Sequence, residues 1–239
     1  MAPVSGLDVD IASKHFGNQR VLGGIRFRLG VGERAALLGP SGIGKSTLLG
    51  LIAGYDTHFE GRIAHLPGQT AMVFQTPRLL SWRTLVQNIA LMPESGGPER
   101  ARALLAAVGL GEVADAFPER ISLGMQRRVA LARALAVRPS LILLDEPLVS
   151  LDPGTAADMR RLLVRLLDRT AAASLMATHD RREALAVADR VMELDGHPAQ
   201  IVSDRRSPLS REARHDPAAV EALHQDWYGL ALTSCPEPA

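Results

Sequence analysis

The segment Gly39-Pro40-Ser41-Gly42-Ile43-Gly44-Lys45-Ser46-Thr47 decides the fold of this 239-residue chain. It fits the pattern G-x-x-x-x-G-K-S/T, and it lies between a short apolar run, residues 35–38, and an apolar run with helical spacing, residues 48–53. A strand, this loop and a helix form the context in which the pattern makes a phosphate-binding loop. The glycines let successive N–H groups face phosphate oxygens, and the helix N-terminus adds positive potential. The segment therefore predicts a nucleotide-binding P-loop.

Two side chains of this loop carry the expected chemistry. Lys45 is placed to reach the β- and γ-phosphates of a nucleotide, and the hydroxyl of Ser46 is placed to bind Mg²⁺. Lysine is rare here, since Lys14 and Lys45 are the only lysines among 27 basic residues, and a chance match is correspondingly rarer. The loop alone does not separate kinases, GTPases, helicases and transport ATPases.

Strand and helix patterns flank a helical stretch. Apolar segments between residues 9 and 38 alternate with turn residues at Gly17, Gly23-Gly24 and Gly30, which predicts short antiparallel strands. Residues 85–139 have helical spacing, and strands at 141–144, 174–178 and 191–194 then alternate with helices. We therefore predict an α/β fold, a P-loop NTPase core with a mainly parallel sheet, an antiparallel N-terminal β subdomain and an inserted α-helical subdomain.

The predicted organisation is one nucleotide-binding domain, residues 1–204, with its helical subdomain at about 85–139. A hairpin turn at Asp195-Gly196 leads into a last strand near residues 200–202. Residues 205–239 form a polar C-terminal tail without clear periodicity, although Trp227-Tyr228 is expected to pack back on the body.

The composition is that of an ordinary soluble protein, with 46% hydrophobic and 22% charged residues and a net charge of +1. This balance argues against nucleic acid as a partner. Apolar runs stop far short of the roughly 18 residues of a transmembrane helix, and no signal peptide is visible at the N-terminus. Cys235 is the only cysteine and has no intrachain partner. We expect a cytosolic location.

Polar side chains follow two of the predicted strands, at the edge where open parallel sheets bind ligands, and another follows the apolar stretch 71–74. Asp145 is predicted to bind Mg²⁺, and Glu146 to polarise the water that attacks the γ-phosphate. His179 is a candidate to contact the γ-phosphate and orient that water, and Gln75 to reach Mg²⁺ and the water. Each has a simpler explanation alone, because acidic pairs after strands are common and a lone histidine is more often a surface or capping residue.

Ser122 precedes an Arg- and Ala-rich helix, so it and the following N–H groups form a second helix N-terminus able to hold an anion. Within one chain, a simple N-cap explains this serine. The arginines at 160, 161, 165 and 169 are interpreted as a solvated helix face.

Taken in order, these segments resemble the nucleotide-binding subunits of ABC transporters, from about residue 14 to residue 195. The resemblance identifies Phe16 as the aromatic residue that stacks on adenine, Ser122-Leu123-Gly124-Met125-Gln126 as the signature, and Ser150-Leu151-Asp152 as a subunit contact. It implies ATP and Mg²⁺ as ligands and ATP hydrolysis as the activity. It also implies a head-to-tail homodimer, in which Ser122 and Gly124 of one copy face the ATP on the P-loop of the other.

The same resemblance implies the remaining partners. The helical subdomain would contact two integral membrane permease subunits, and an importer would also need a solute-binding protein. The chain would then lie on the cytoplasmic face of the inner membrane as a peripheral subunit. Residues 74–84 and Met125 are similar to the import branch for nitrate, sulfonates and taurine. The clearest departure is Leu123, where the signature usually has glycine, and its bulk is expected to slow turnover.

Three alternatives remain at this stage. A subunit of an exporter or lipid transporter would use the same ATPase. A non-transport ABC ATPase of DNA repair or translation usually has two ATPase halves, long coiled coils or zinc-binding cysteines, which this sequence lacks. A simple P-loop kinase would not need Ser122 or residues 150–152.

Overall fold

The computed structural model describes residues 6–64, 68–93 and 95–229. The strands are β1 (Gly6–Phe16), β2 (Gln19–Gly30), β3 (Arg34–Leu38), β4 (Glu60–Ala64), β5 (Thr70–Val73), β6 (Leu141–Asp145), β7 (Ala173–Thr178), β8 (Arg190–Asp195) and β9 (Gln200–Arg206). The α-helices are α1 (Lys45–Ile52), α2 (Leu85–Ala90), α3 (Gly97–Ala107), α4 (Leu123–Ala136), α5 (Pro153–Asp168), α6 (Arg181–Val187) and α7 (Pro217–Tyr228). Within these residues, no helix is both long and apolar enough to span a bilayer.

The strands form two sheets. The first is antiparallel, with the order β2-β1-β4, and the second has the order β5-β6-β7-β3-β8-β9. Strands β5 to β8 of the second sheet run parallel, and β9 pairs antiparallel with β8 at its edge. The predicted α/β class, the mainly parallel sheet and the antiparallel N-terminal unit are confirmed.

The N-terminal sheet differs from its prediction in one respect. Gly23 and Gly24 do not form a turn but lie inside β2, where Gly23 pairs with Ser13 of β1. Gly24 has a φ of +72°, which glycine adopts without a steric penalty, and the pairing register shifts nearby between Lys14 and His15. The two glycines therefore accompany an irregularity in a long hairpin instead of separating short strands.

The parallel sheet is buried on both faces. In β3, Ala36 and Leu38 pack into one hydrophobic cluster, while Ala35 and Leu37 pack into the other. Because strand side chains alternate between faces, every residue of β3 is buried. The N-terminal sheet and α1 contribute to one cluster, and the helices of the second half contribute to the other. The parallel sheet therefore lies at the centre of the core, between the two clusters.

Residues 85–139 contain α2, α3 and α4, which contact one another. Thr84 begins α2 with a capping box, since its side chain accepts a hydrogen bond from the backbone N–H of Gln87 and the Gln87 side chain accepts from the backbone N–H of Thr84. Pro98 lies in the first turn of α3, where proline needs no backbone N–H partner.

The C-terminal segment contains a helix that we did not expect from its sequence. Strand β9 runs to Arg206, past the predicted domain end at residue 204, and α7 follows with Asp216 as its N-cap. Leu223 is buried in the core. The Arg205 guanidinium lies 4.3 Å from the ring centre of Trp227. Trp227 and Tyr228 are both partly buried against the core, so the pair packs on the body as expected. Cys235 lies outside the described residues.

Candidate nucleotide-binding site

The carboxyl ends of four neighbouring strands bring the predicted site residues to one edge of the sheet. The P-loop follows β3, Gln75 follows β5, Asp145 ends β6 and His179 follows β7 directly. Since these strands are parallel and adjacent in the order β5-β6-β7-β3, their ends lie side by side. Residues spread over more than a hundred positions of sequence thus meet at a single edge.

The P-loop depends on two glycines in the left-handed region. Gly42 has a φ of +80° and Gly44 a φ of +112°. A Cβ at position 44 would also lie 2.8 Å from the side chain of Leu22. Gly44 is the N-cap of α1, and no side chain caps this helix within the described chain. The first N–H groups of α1 therefore remain available to an anion at the helix N-terminus.

Lys45 is buried, and the loop itself holds its side chain. Its Nζ donates hydrogen bonds to the carbonyl oxygens of Gly39 (2.8 Å) and Pro40 (2.9 Å). The same nitrogen lies 3.3 Å from a carboxylate oxygen of Glu146. The ammonium group is therefore fixed between the P-loop and the end of β6.

Ser46 and Asp145 form a pair of oxygen ligands at the base of the loop. The Ser46 hydroxyl donates to Oδ1 of Asp145 at 2.9 Å. Burial raises the pKa of Asp145, and the charge of Glu146 adds to the rise, while Ser46 and Lys45 oppose it. A divalent cation would stabilise this buried carboxylate, and hydroxyl and carboxylate oxygens are ligands that Mg²⁺ accepts. The donor set fits Mg²⁺.

Glu146 and His179 face each other across the ends of β6 and β7. The Oε1 atom of Glu146 lies 3.7 Å from Nδ1 of His179. Glu146 has a φ of +44°, which is uncommon outside glycine, and its N–H donates to the carbonyl of Ala177. This backbone turns the glutamate side chain from the strand direction towards Lys45 and His179.

The turn that carries His179 is held on both sides. The Thr178 hydroxyl donates to the carboxylate of Glu183 at 2.8 Å. Asp180 caps α6 by accepting hydrogen bonds from the N–H groups of Arg182 and Glu183. Burial raises the pKa of Glu183, whereas the hydrogen bond from Thr178 lowers it. His179 itself is about half exposed and borders the site.

A cleft of about 420 Å³ opens over the P-loop. Its described lining is Phe16, Gln19, Val21, Ser41, Gly42, Gly44, Lys45, Ser46, Thr47, Gln75 and Glu146. Phe16 is 53% exposed at the end of β1, with Nζ of Lys14 4.6 Å from its ring centre, and the exposed part of the ring can stack on a flat ligand. Gln19 and Val21 were not anticipated, although Gln19 pairs with Phe16 across the hairpin and the turn at Gly17 pointed to that pairing.

Three predicted loop residues take other positions. Gly39 and Pro40 line an adjoining cavity of about 570 Å³ that also includes His179. The side chain of Ile43 is buried in the core, with 4% exposed, which leaves only its backbone to meet a ligand.

Ser122 and Gly124 lie at the start of α4 and are not among the described residues that line the cleft of their own chain. The Ser122 hydroxyl accepts a hydrogen bond from the N–H of Met125 at 3.3 Å, so it caps the helix. Leu123 is 46% exposed. A Cβ at Gly124 would lie 3.1 Å from the methyl group of Thr155.

Arg127 is a positioning residue that the sequence did not reveal. It is buried on α4, and its Nη1 donates to the carbonyl of Val149, next to Ser150, which has a φ of +58°. The arginine thereby connects the helix after the signature to the segment 150–152. In sequence it was one of several arginines in an Arg- and Ala-rich helix, with no distinguishing signal.

Asn88 holds the loop after Gln75 in a similar way. Its side-chain amide accepts from the N–H of Leu80 and donates to the carbonyls of Leu80, Arg83 and Thr84. The Arg133 guanidinium donates to the carbonyls of Pro77 and Arg78 on the same segment. These bonds fix residues 77–84 on the helical subdomain.

Residues 22–149 match the family described as ABC transporter. The chain belongs to this family. It is 40% identical over 230 residues to the aliphatic sulfonates import ATP-binding protein SsuB 2 of Pseudomonas syringae pv. tomato, covering 92% of this chain and 98% of that protein. It is 41% identical over 228 residues to the aliphatic sulfonates import ATP-binding protein SsuB of Cupriavidus pinatubonensis, covering 92% of this chain and 75% of that protein.

Two solved structures of ABC proteins have the same fold. One is the dimeric post-hydrolysis state of the ATP-binding cassette MJ0796 bound to ADP and Pi, with a TM-score of 0.70 and 26% identity over 86% of this chain and 99% of that chain. The other is cbiO1 from Clostridium perfringens, part of the transporter complex cbiONQ, with a TM-score of 0.75 and 24% identity over 95% of this chain and 94% of that chain. The second likeness concerns the fold alone.

Proposed function

We propose that this chain is the ATP-binding and ATP-hydrolysing subunit of an ABC importer. The observation that carries the proposal is the meeting of the P-loop, Gln75, the Asp145-Glu146 pair and His179 at one sheet edge beside the cleft. Its relatives are named as import ATP-binding proteins, which favours import over the alternatives of an exporter, a lipid transporter or a non-transport ATPase.

ATP enters the cleft with its adenine on Phe16 and its phosphates on the P-loop. The exposed ring of Phe16 supplies the stacking surface. Backbone N–H groups between Ser41 and Thr47 bind phosphate oxygens, since Pro40 has no N–H and that of Gly39 is donated to the carbonyl of Thr178. Lys45 reaches the β- and γ-phosphates when its Nζ leaves the carbonyls of Gly39 and Pro40. This exchange is favourable because charged phosphate oxygens form stronger hydrogen bonds with the Lys45 ammonium than neutral carbonyl oxygens do.

Ser46, Asp145 and Gln75 are the residues that would hold Mg²⁺. The ion would neutralise developing charge on the phosphates. The short Ser46–Asp145 distance places two of these ligands together, and Gln75 lines the same cleft.

Glu146 activates the attacking water, and His179 orients it. A carboxylate at this position accepts a proton or hydrogen bond from water, and the imidazole 3.7 Å away limits the water to one side of Glu146. The left-handed backbone at Glu146 is the local cost of aiming that side chain.

A second copy of the chain completes each site. Ser122 and Gly124 do not line the cleft within one described chain, yet they present a helix N-terminus that fits an anion. Head-to-tail pairing would bring this N-terminus to the γ-phosphate of the partner's ATP. The related cassette MJ0796 is described as dimeric, which supports a dimer here.

The transported solutes are proposed to be aliphatic sulfonates, taurine among them, or nitrate, because the relatives are named for sulfonate import. The solute would pass through two membrane permease subunits after delivery by a solute-binding protein. The helical subdomain, residues 85–139, would contact the permeases, which places the chain at the cytoplasmic face of the inner membrane.

The test is Mg²⁺-dependent ATP hydrolysis by the purified chain over a range of protein concentrations. We expect activity to rise more than linearly with concentration, because two copies form each site. Lys45→Ala and Glu146→Gln should each lower the rate by at least about a hundredfold, since each removes charge at the reacting phosphate. Arg165→Ala, an exposed change on α5, serves as the control.

Two results would contradict the proposal. One is a wild-type protein that binds ATP but never hydrolyses it, even when its membrane partners are present. The other is a Glu146→Gln variant with the wild-type rate, which would assign the attacking water to another residue.

A further inference from the structure

A separate cavity of about 390 Å³ lies between α5, α6 and the C-terminal segment. Its volume falls within the roughly 300–1,000 Å³ that small-molecule sites occupy. It contains none of the residues assigned above to ATP or Mg²⁺. Its described lining is Ala157, Arg160, Arg161, Val164, Arg182, Ala186, Arg214, His215, Pro217, Val220 and Glu221.

The lining is strongly basic. Four arginines and His215 face a single carboxylate, that of Glu221. Glu221 forms an ion pair with Arg182, whose Nε and Nη2 donate to its two carboxylate oxygens at 2.7 and 3.1 Å. The cavity therefore has an excess of positive charge after its own acidic residue is paired.

Arg160 is the cation with the least compensation. Arg161 pairs with Asp158, and Arg214 pairs with Asp189 at 2.8 Å. Arg160 forms no ion pair with any of the described carboxylates. Its charge acts at longer range on Glu183, but that carboxylate already accepts the hydrogen bond from Thr178.

The rest of the lining is apolar. It consists of Ala157 and Val164 on α5, Ala186 on α6, and Pro217 and Val220 on α7. Val220 is buried, with 6% exposed. An inorganic anion would leave these surfaces unused, and an uncharged molecule would leave Arg160 unpaired. A ligand with both an oxyanion head and a short apolar body matches the two kinds of wall.

We propose that this cavity binds a small organic monoanion, with its carboxylate or sulfonate head on Arg160 and its apolar body against α5, α6 and α7. The planar guanidinium donates two parallel hydrogen bonds to such a head. His215 lines the same cavity, and its Nε2 lies 3.9 Å from a carboxylate oxygen of Asp168, so Arg160 is the group that binds the head.

The cavity is linked to the nucleotide site through Arg182. This residue lines both this cavity and the one beside the P-loop that includes His179. The backbone N–H of Arg182 donates to the carboxylate of Asp180, which follows His179, and the Arg182 side chain donates to the carboxylate of Glu221 on α7. A carboxylate or sulfonate head on Arg160 adds negative charge to the cavity that Arg182 and Glu221 also line, and this charge acts through the Arg182–Glu221 pair on the turn that carries His179. An effect on hydrolysis rests on the proposed function, but binding of the anion does not.

The test is isothermal titration calorimetry on the full chain without nucleotide. The probes are hexanesulfonate and hexanoate, with sulfate and hexylamine as the head-only and charge-inverted comparisons. We expect both organic anions to bind, sulfate to bind at least about tenfold more weakly, and hexylamine not to bind. Arg160→Ala should weaken the binding of both organic anions by about tenfold or more, as expected for a lost charge-assisted hydrogen bond.

Two further variants distinguish binding in the cavity from a general effect of changing α5. Ala157→Leu fills the cavity without removing charge and should also weaken binding. Arg165→Ala removes an exposed arginine of the same helix outside the cavity and should leave binding unchanged.

Several outcomes would overturn the proposal. They are equal binding to wild type and Arg160→Ala, equal binding of hexylamine and hexanesulfonate, or sulfate binding as tight as that of the organic anions. Circular dichroism of each variant confirms that it is folded. Because the titration needs no ATP, failure to bind the anions is distinct from failure to hydrolyse ATP. A hydrolysis rate that stays constant at saturating anion refutes the link through Arg182 and leaves the binding result intact.

Discussion

At the scale of single residues, the site is prepared for charge before any ligand arrives. The Lys45 ammonium is held by two loop carbonyls and a carboxylate, and Asp145 is held by the Ser46 hydroxyl. The two carbonyls and the hydroxyl are neutral partners, which the charged phosphate oxygens of ATP and the Mg²⁺ ion would replace. Preorganisation of this kind limits the reorganisation that ligand binding requires.

Ser46→Ala should raise the Mg²⁺ concentration that gives half-maximal ATP hydrolysis by about tenfold or more. The variant removes one oxygen ligand and leaves the buried Asp145 carboxylate without its hydrogen bond. The measurement is a Mg²⁺ titration of the ATPase rate at saturating ATP. Arg165→Ala, an exposed change on α5 outside the cleft, is the control and should not shift the midpoint. Equal midpoints for both variants would contradict Ser46 as a metal ligand.

Leu123→Gly should increase the ATP turnover number severalfold. The leucine side chain is 46% exposed at the N-terminus of α4, where a bulky apolar group would approach the phosphates of the partner's ATP. The measurement is the maximal rate at a protein concentration that saturates the dimer. Leu123→Ala is the intermediate control, and an unchanged or lower rate in both variants would show that the leucine does not restrict turnover.

At the scale of elements, Asp189 connects the start of β8 to β3 and to the segment before α7. Burial opposes its ionisation, but hydrogen bonds from Arg211, Arg214 and the backbone N–H of Arg34 overcome that effect and lower the pKa of Asp189 to about 2. A carboxylate whose folded-state pKa is depressed stabilises the fold above its unfolded-state pKa near 4. That contribution is lost as the pH falls towards about 2.

Asp189→Asn should therefore lower the free energy of unfolding by on the order of 2 kcal/mol at about pH 6. The difference from wild type should shrink as the pH falls from about 4 to about 2. Urea unfolding followed by circular dichroism measures both values. Glu212→Gln, an exposed change in the segment before α7, controls for the loss of a negative charge. A difference that stays constant over this pH range would contradict the depressed pKa.

The elements also show what a sequence can predict. The P-loop was predictable because one fixed spacing selects one backbone conformation, and the strand ends at Asp145 and His179 were predictable because apolar runs stop there. The glycines at 23 and 24 were misleading, since a glycine in a long hairpin permits an irregularity as readily as a turn. The roles of Arg127 and Asn88 were not predictable, because each depends on carbonyl groups that only the tertiary fold brings near.

Helix α7 was missed although its signals are present. Asp216 caps it, Pro217 opens it, and Val220, Leu223 and Trp227 have helical spacing. The surrounding polar residues and prolines outweighed this short stretch. Its buried face matters only once α6 and β8 are in place, which a local pattern does not reveal.

At the scale of the whole molecule, the proposed mechanism gives the single chain two incomplete halves of an ATP site. The P-loop cleft and the signature helix N-terminus belong to different regions of one chain. The dimer is therefore the proposed catalytic unit. This arrangement would make subunit association and ATP binding thermodynamically linked, because ATP would contact both copies.

Glu146→Gln should dimerise when ATP and Mg²⁺ are added, because ATP would remain bound without being hydrolysed. Analytical ultracentrifugation should report a shift from the 25.6 kDa chain to twice that mass. The double variant Lys45→Ala, Glu146→Gln is the control and should stay monomeric, since it loses phosphate contacts. A monomer in both cases, at protein concentrations well above the assay range, would contradict the two-chain site.

The two buried lysines have a consequence for spectroscopy. Lys14 is bonded to Asp56 and the carbonyl of His58, whereas Lys45 lies in the P-loop. Protein grown with isotope-labelled lysine would carry the label at two side chains, both almost excluded from solvent. One resonance would then report on the phosphate end of the site and the other on the adenine end, because Nζ of Lys14 lies 4.6 Å from the ring centre of Phe16. An NMR spectrum of only two lysine signals would follow both ends of the bound nucleotide through the ATP cycle.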